Sequence, residues 1–76
     1  MKLALKVFLR NRDTGLFFQS LDKWTTAPQR ALRFASSARA MKAVSDLHLQ
    51  NMEIVLSFGN PAYDVMLPVG GDHWRI

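Results

Sequence analysis

Ser36-Ser37-Ala38-Arg39-Ala40-Met41-Lys42-Ala43-Val44-Ser45-Asp46-Leu47-His48-Leu49 is the one long stretch of this chain with helical periodicity. Ala40, Met41, Val44 and Leu47, with His48 at the end, recur at three- and four-residue spacing and form one apolar stripe. Arg39, Lys42, Ser45 and Asp46 fall mostly on the other side. Ser36 or Ser37 offers a hydroxyl to cap the first turn. Asn51, tolerant of left-handed backbone, follows Gln50 at the far end. The spacing predicts a helix over about 37–49, and what flanks it then decides the fold.

Both flanks alternate with a period of two. Before the helix, Leu3, Leu5, Val7 and Leu9 share one face while Lys2, Ala4, Lys6, Phe8 and Arg10 share the other. Asn11-Arg12-Asp13-Thr14-Gly15 has hairpin-turn chemistry, with Gly15 suited to a left-handed position, and Leu16–Ser20 returns. Leu21–Trp24 connects to a short helical turn near 27–33, where Pro28 fits the first position and Ala31 and Phe34 face inward. After the helix, Met52, Ile54, Leu56 and Phe58 alternate with Glu53, Val55 and Ser57. Gly59-Asn60-Pro61 turns the chain, and Ala62 to Val69 returns. Pro68 belongs on a sheet edge or at a strand end.

Two hairpins around one helix give ββαββ, an α+β two-layer sandwich in which the main helix covers the apolar face of an antiparallel sheet. Leu5, Val7, Val44, Leu47, Ile54 and Leu56 are its expected core. Strand order and hairpin register stay open. Residues 1–69 are expected to form a single domain, with 70–76 as a C-terminal tail.

Composition narrows the chemistry. The chain has 76 residues, 49% hydrophobic and 21% charged, with no cysteine. That excludes disulfides, thiolate metal sites and cysteine nucleophiles. A domain of this size nets only about 3–5 kcal/mol from its core. Lys6 interrupts the apolar N-terminal run and no small-residue cleavage site follows, so we expect a cytoplasmic protein rather than a secreted one.

No nucleophile elbow, phosphate-binding glycine loop or His-Glu-x-x-His motif occurs. The six carboxylates, Asp13, Asp22, Asp46, Glu53, Asp64 and Asp72, fall in no arrangement of known mechanics. His48 and His73 are the two imidazoles, and no ligand cluster forms around either in sequence. Asp13-Thr14-Gly15 matches the triplet at aspartic protease nucleophiles, but its place between alternating strands marks it as a turn. No catalytic residue, metal site or cofactor is expected, and no enzyme.

Charge is uneven. Residues 1–42 hold nine Lys or Arg against two acids, and residues 43–76 hold one against four, so +7 and −3 combine to the net +4. The first strand is basic on its outward face, and one register places Phe8, Leu16 and Phe18 there too. Lys6, Phe8, Arg10, Arg12, Phe18 and Trp24 are therefore the candidate binding surface. Cations would meet phosphates and rings would stack on bases if the partner is nucleic acid. In the competing arrangement Phe8 and Phe18 pack beneath the Trp24 segment. Aromatic side chains and free strand edges point instead to a protein partner or a homo-oligomer. Protein–protein interaction or self-association is the leading expectation, and nucleic-acid binding the alternative.

Asn11 to Gln19 reads N-x-x-T-G-x-F-x-Q, and Trp24 to Ala40 reads W-T-x5-A-x-x-F-x-S-x-x-x-A. This pattern resembles one found in short uncharacterised bacterial proteins. The resemblance implies a shared fold and no particular activity. Gly15 supplies a turn in it, Trp24, Ala31 and Phe34 supply packing, and Ser36 supplies a cap.

Overall fold

Five strands make one antiparallel sheet, and the computed structural model describes it over residues 5–69. The elements are β1 (Lys6–Asn11), β2 (Phe17–Ser20), β3 (Lys23–Thr25), α1 (Ser37–Asp46), β4 (Met52–Ser57) and β5 (Val65–Pro68). Single 3-10 turns at Pro28–Arg30 and Pro61–Tyr63 precede α1 and β5. Sheet order is β3-β2-β1-β4-β5, so the two hairpins meet along β1 and β4. The α+β class and the helix between hairpins are as expected. The expected tail, 70–76, lies outside the described residues, as does the start of the first expected strand.

Three elements depart from expectation. Lys23–Thr25, expected to be a connection, is a third strand paired with β2, and Trp24 meets Phe18 edge-on at 5.4 Å. The return strand expected from Ala62 starts only at Val65. Asn60 closes a turn with its Oδ1 on Ala62 N–H (3.0 Å) and its carbonyl on Tyr63 N–H (2.9 Å).

The helix is the third case. It stops at Asp46, because His48 takes a left-handed φ of 54° and Leu49 N–H reaches back to the Val44 carbonyl at 3.0 Å. His48 N–H bonds the Ser45 carbonyl at 3.3 Å, completing a Schellman ending with histidine where glycine is usual. Ser36 caps the other end through its Oγ on Arg39 N–H at 3.2 Å.

The buried helix face is Ala40, Ala43 and Val44, and the small alanines let α1 lie close against β1 and β4. Beneath it pack Val7, Leu9, Phe18, Met52 and Ile54. Of the six expected core residues, Val7 and Ile54 are buried and Val44 and Leu56 are partly buried against them. Leu5 and Leu47 are exposed, at 51% and 37%. Leu47 lies past the helix end, and Leu5 precedes the first paired residue.

The sheet's other face has a smaller cluster of Phe8, Val55 and Ala31, with Phe17 against it. Residues 31–34 reach it by an unusual route. β1 and β2 pair at Arg10↔Phe17 and then splay, and the chain enters the gap. Leu32 N–H bonds the Phe18 carbonyl at 3.0 Å, and Phe34 N–H bonds the Val7 carbonyl at 2.9 Å. That leaves Ala31 on one face with Phe8 and Phe34 on the other with the helix.

Candidate docking surface

The expected binding surface comes apart in the fold. Four residues, Arg12–Gly15, loop between Asn11 and Leu16, closed by Asn11 N–H on the Leu16 carbonyl at 2.8 Å. This register puts Phe17, not Phe18, on the face of Phe8 and Arg10. A one-residue change of register moves every side chain to the opposite face. Phe8 is 4% exposed and Phe18 is 2% exposed, on opposite sides of the sheet. Neither ring offers a stacking surface to a base.

The cations of that surface are equally dispersed. Arg10 lies directly across from Glu53 in the β1–β4 register and forms a partly buried ion pair with it. Lys6 is half-buried at the start of β1, and Arg12 is exposed in the turn. Trp24 is half-exposed on the short outer strand β3, against Phe18.

The turn residues are occupied with one another. Asn11 Oδ1 accepts from the N–H groups of Asp13 (2.8 Å) and Thr14 (2.9 Å), and Thr14 Oγ1 accepts from Leu16 N–H (3.2 Å). Asp13 Oδ2 accepts from Asn51 Nδ2 at 2.8 Å, and Arg12 N–H bonds the Asn51 carbonyl at 2.7 Å. The Asp13-Thr14-Gly15 triplet is therefore a clasp between the β1–β2 turn and the start of β4. Gly15 has a φ of 76°, and an added Cβ would stand 3.3 Å from an Arg10 guanidinium nitrogen. Among the described residues no cluster of acids and imidazoles is placed to hold a metal, and no helix is long and apolar enough to cross a membrane.

What the fold leaves uncovered lies at the other edge. The helix sits over β1 and β4 and stops short of β5, whose four residues are all exposed. The β4–β5 register pairs Leu67 with Ile54 and Val65 with Leu56, so both side chains face the helix side. They remain 42% exposed there. On the same side, between the second half of α1, the residues that follow it and Val69, lies an open groove of about 390 Å³ lined by Met41, Val44, Ser45, His48, Leu49, Gln50 and Val69. Met41 is exposed beside it. The apolar side chains on this side, Met41, Val44, Leu49 and Val69 lining the groove and Val65 and Leu67 exposed along β5, make a strip interrupted by the polar Ser45, His48 and Gln50.

Backbone pairing along this edge is blunted. Val69 N–H bonds the Met52 carbonyl at 2.9 Å, so by ladder alternation Val65 and Leu67 also bond inward while Met66 and Pro68 turn their backbone outward. Pro68 has no N–H to offer there, which both spares the ladder and blocks an added strand. At the opposite edge β3 is three residues long, and the register shifts between Phe18 and Ser20. Such a short, irregular edge is a poor template for pairing.

Sequence reading placed Val65 and Leu67 in an alternating strand but had no signal that the helix falls short of it. The position of α1 across the sheet, over β1 and β4, is the missing information. Comparison with known proteins finds no matching family model, no matching curated protein and no matching solved structure.

Proposed function

We propose that this chain is a non-catalytic protein-docking domain that binds through the strip between α1 and β5. One observation carries it: the edge strand's helix-side residues, Val65 and Leu67, lie beside the helix layer rather than under it, next to an exposed Met41. Apolar side chains scattered singly over a surface are ordinary, whereas several exposed on one side of the sheet beside a groove support a docking role. The two sheet edges support docking by side-chain packing rather than by strand addition. Nucleic-acid binding finds no comparable support, because it needed Phe8 and Phe18 at the surface.

A photo-crosslinking phenylalanine analogue in place of Leu67 tests this in living cells. Discrete protein adducts are expected from position 67. The same analogue in place of Leu21, an exposed apolar residue in the β2–β3 turn, serves as control and should give none. Equal, diffuse labelling from both positions would refute the proposal.

A further inference from the structure

We infer that this chain also holds a single-stranded nucleic acid at the β3 end of the sheet, with a base stacked on Trp24 and phosphates on Lys23, Arg30, Arg33 and Arg39. This site goes beyond the docking proposal and does not rest on it, since β3 and β5 are opposite edges. It also lies elsewhere than the first hairpin, whose rings Phe8 and Phe18 are buried. Three observations carry it.

The first is where the charge lies. Residues 22–46 contain five Lys or Arg and two acids, and the other described residues contain three of each. The net charge of the described chain therefore sits wholly on β3, the wedge and α1. Lys42 is paired with Asp46 at 3.1 Å, and Arg10 with Glu53. Lys23, Arg30, Arg33 and Arg39 are exposed and form no ion pair among the described residues, and Asp22 is the one other acid in the segment. Three of these four cations are arginines, whose planar fork matches phosphate oxygens.

The second is how the fold gathers them. Trp24 pairs with Phe18, and the Phe18 carbonyl accepts from Leu32 N–H at 3.0 Å on its other side. At about 4.8 Å between neighbouring strands, the backbones at 24 and 32 stand about 10 Å apart. Lys23 and Arg33 adjoin those two residues in the chain, and Arg30 ends the 3-10 turn just before them. Met41, Ser45 and His48 line the groove beside Val69, so helical rotation puts Arg39 on the opposite flank of α1, facing β2 and β3. Separations of this order are comparable to the Debye length of about 10 Å at 0.1 M salt, so a polyanion meets the summed field.

The third is Trp24 itself. Its contact with Phe18 places it on the helix side of the sheet, the side of Arg39. The indole is 36% exposed and meets Phe18 at an interplanar angle of 78°. An edge-on contact of this kind covers at most one face of the ring. Cations around an open aromatic face are what single strands use, because any base can stack while the backbone follows the charges. An acidic peptide would engage the cations and leave the indole unused. A duplex keeps its own bases stacked and offers the ring nothing.

Fluorescence anisotropy of a labelled oligothymidine strand, titrated with the full chain, tests this. The expected Kd at about 50 mM salt is about 10⁻⁴ M or tighter, with a log–log salt slope of about −2 to −3 from three or four phosphate contacts. Arg33→Glu and Arg39→Glu should each flatten that slope by about 0.7 with circular dichroism unchanged. Arg12→Glu makes the same change of charge in the β1–β2 turn and should leave the slope as it is. Trp24→Leu keeps an apolar contact with Phe18 and should weaken binding at least about fivefold with the slope retained. A wild-type chain that does not bind at low salt overturns the inference. Equal losses from Arg12→Glu, Arg33→Glu and Arg39→Glu would mean net charge without a site, and overturn it too. So would wild-type affinity in Trp24→Leu, which removes the stacked base. Displacement of the strand by polyglutamate at matched charge would assign the surface to an acidic protein and equally refute the nucleic acid.

Discussion

Phe8→Ala separates a core phenylalanine from a ligand-stacking one, because alternation alone puts Phe8 on the face away from the helix. In the fold that face is filled there. Phe8 packs with Val55 and Ala31 and meets Phe17 edge-on, with ring centroids 5.9 Å apart. Removing a ring so enclosed costs about 3–5 kcal/mol, of which the edge-on pair accounts for about 0.5–1.5 kcal/mol. At about 0.05–0.15 kcal/mol per residue, a 76-residue domain is stable by about 4–11 kcal/mol. The substitution therefore removes between about a quarter and all of the folding free energy. Urea unfolding followed by circular dichroism should show the midpoint fall steeply, and the thermal midpoint should drop by at least about 12 °C. Phe8→Leu keeps most of the volume and should retain well over half of the lost stability. A Phe8→Ala change within about 0.5 kcal/mol of wild type would place Phe8 on the surface and refute the second cluster.

Arg10→Ala leaves the Glu53 carboxylate buried without its partner and should cost about 1–3 kcal/mol by urea titration. The Arg10→Met/Glu53→Met pair should recover part of that loss, and strict additivity would mean the two do not interact. His48→Gly relieves a left-handed residue at φ 54° and should raise the thermal midpoint by a few degrees, the net of about 1–2 kcal/mol of relieved strain and the greater freedom of glycine in the unfolded chain. A lowered midpoint would mean that the imidazole itself holds the helix end. Leu47→Ala should cost less than about 1.5 kcal/mol, because the residue lies beyond the helix and is 37% exposed; a loss of about 3 kcal/mol or more would return Leu47 to the core.

The parts legible in the sequence were those written in local periodicity and turn chemistry. Ser36 announced its helix start by residue type, and Asn11 with Gly15 announced the first turn. Alternation identified β1 and β4 because Val7, Leu9, Met52 and Ile54 need only the near face of the sheet to be buried. The failures share a different cause, since each depended on a single residue's backbone. His48 adopts the conformation glycine usually supplies, so nothing in its type marked the helix end. The four-residue loop after Asn11 set which of Phe17 and Phe18 joins Phe8, and three- and four-residue loops are equally consistent with that sequence. The wedge at 31–34 could not be read at all, because it follows from where β1 and β2 splay rather than from any local pattern.

That same wedge explains why the open surface lies beside β5 and not beside β2. On the β2 side, the chain between β3 and α1 must cross the sheet to reach the helix start. In doing so it supplies Ala31 to one face and Phe34 to the other. On the β5 side no segment crosses back among the described residues, and α1 packs over β1 and β4. The left-handed turn at His48, which costs about 1–2 kcal/mol, sends the chain from the helix end back to the start of β4, so α1 stays over β1 and β4.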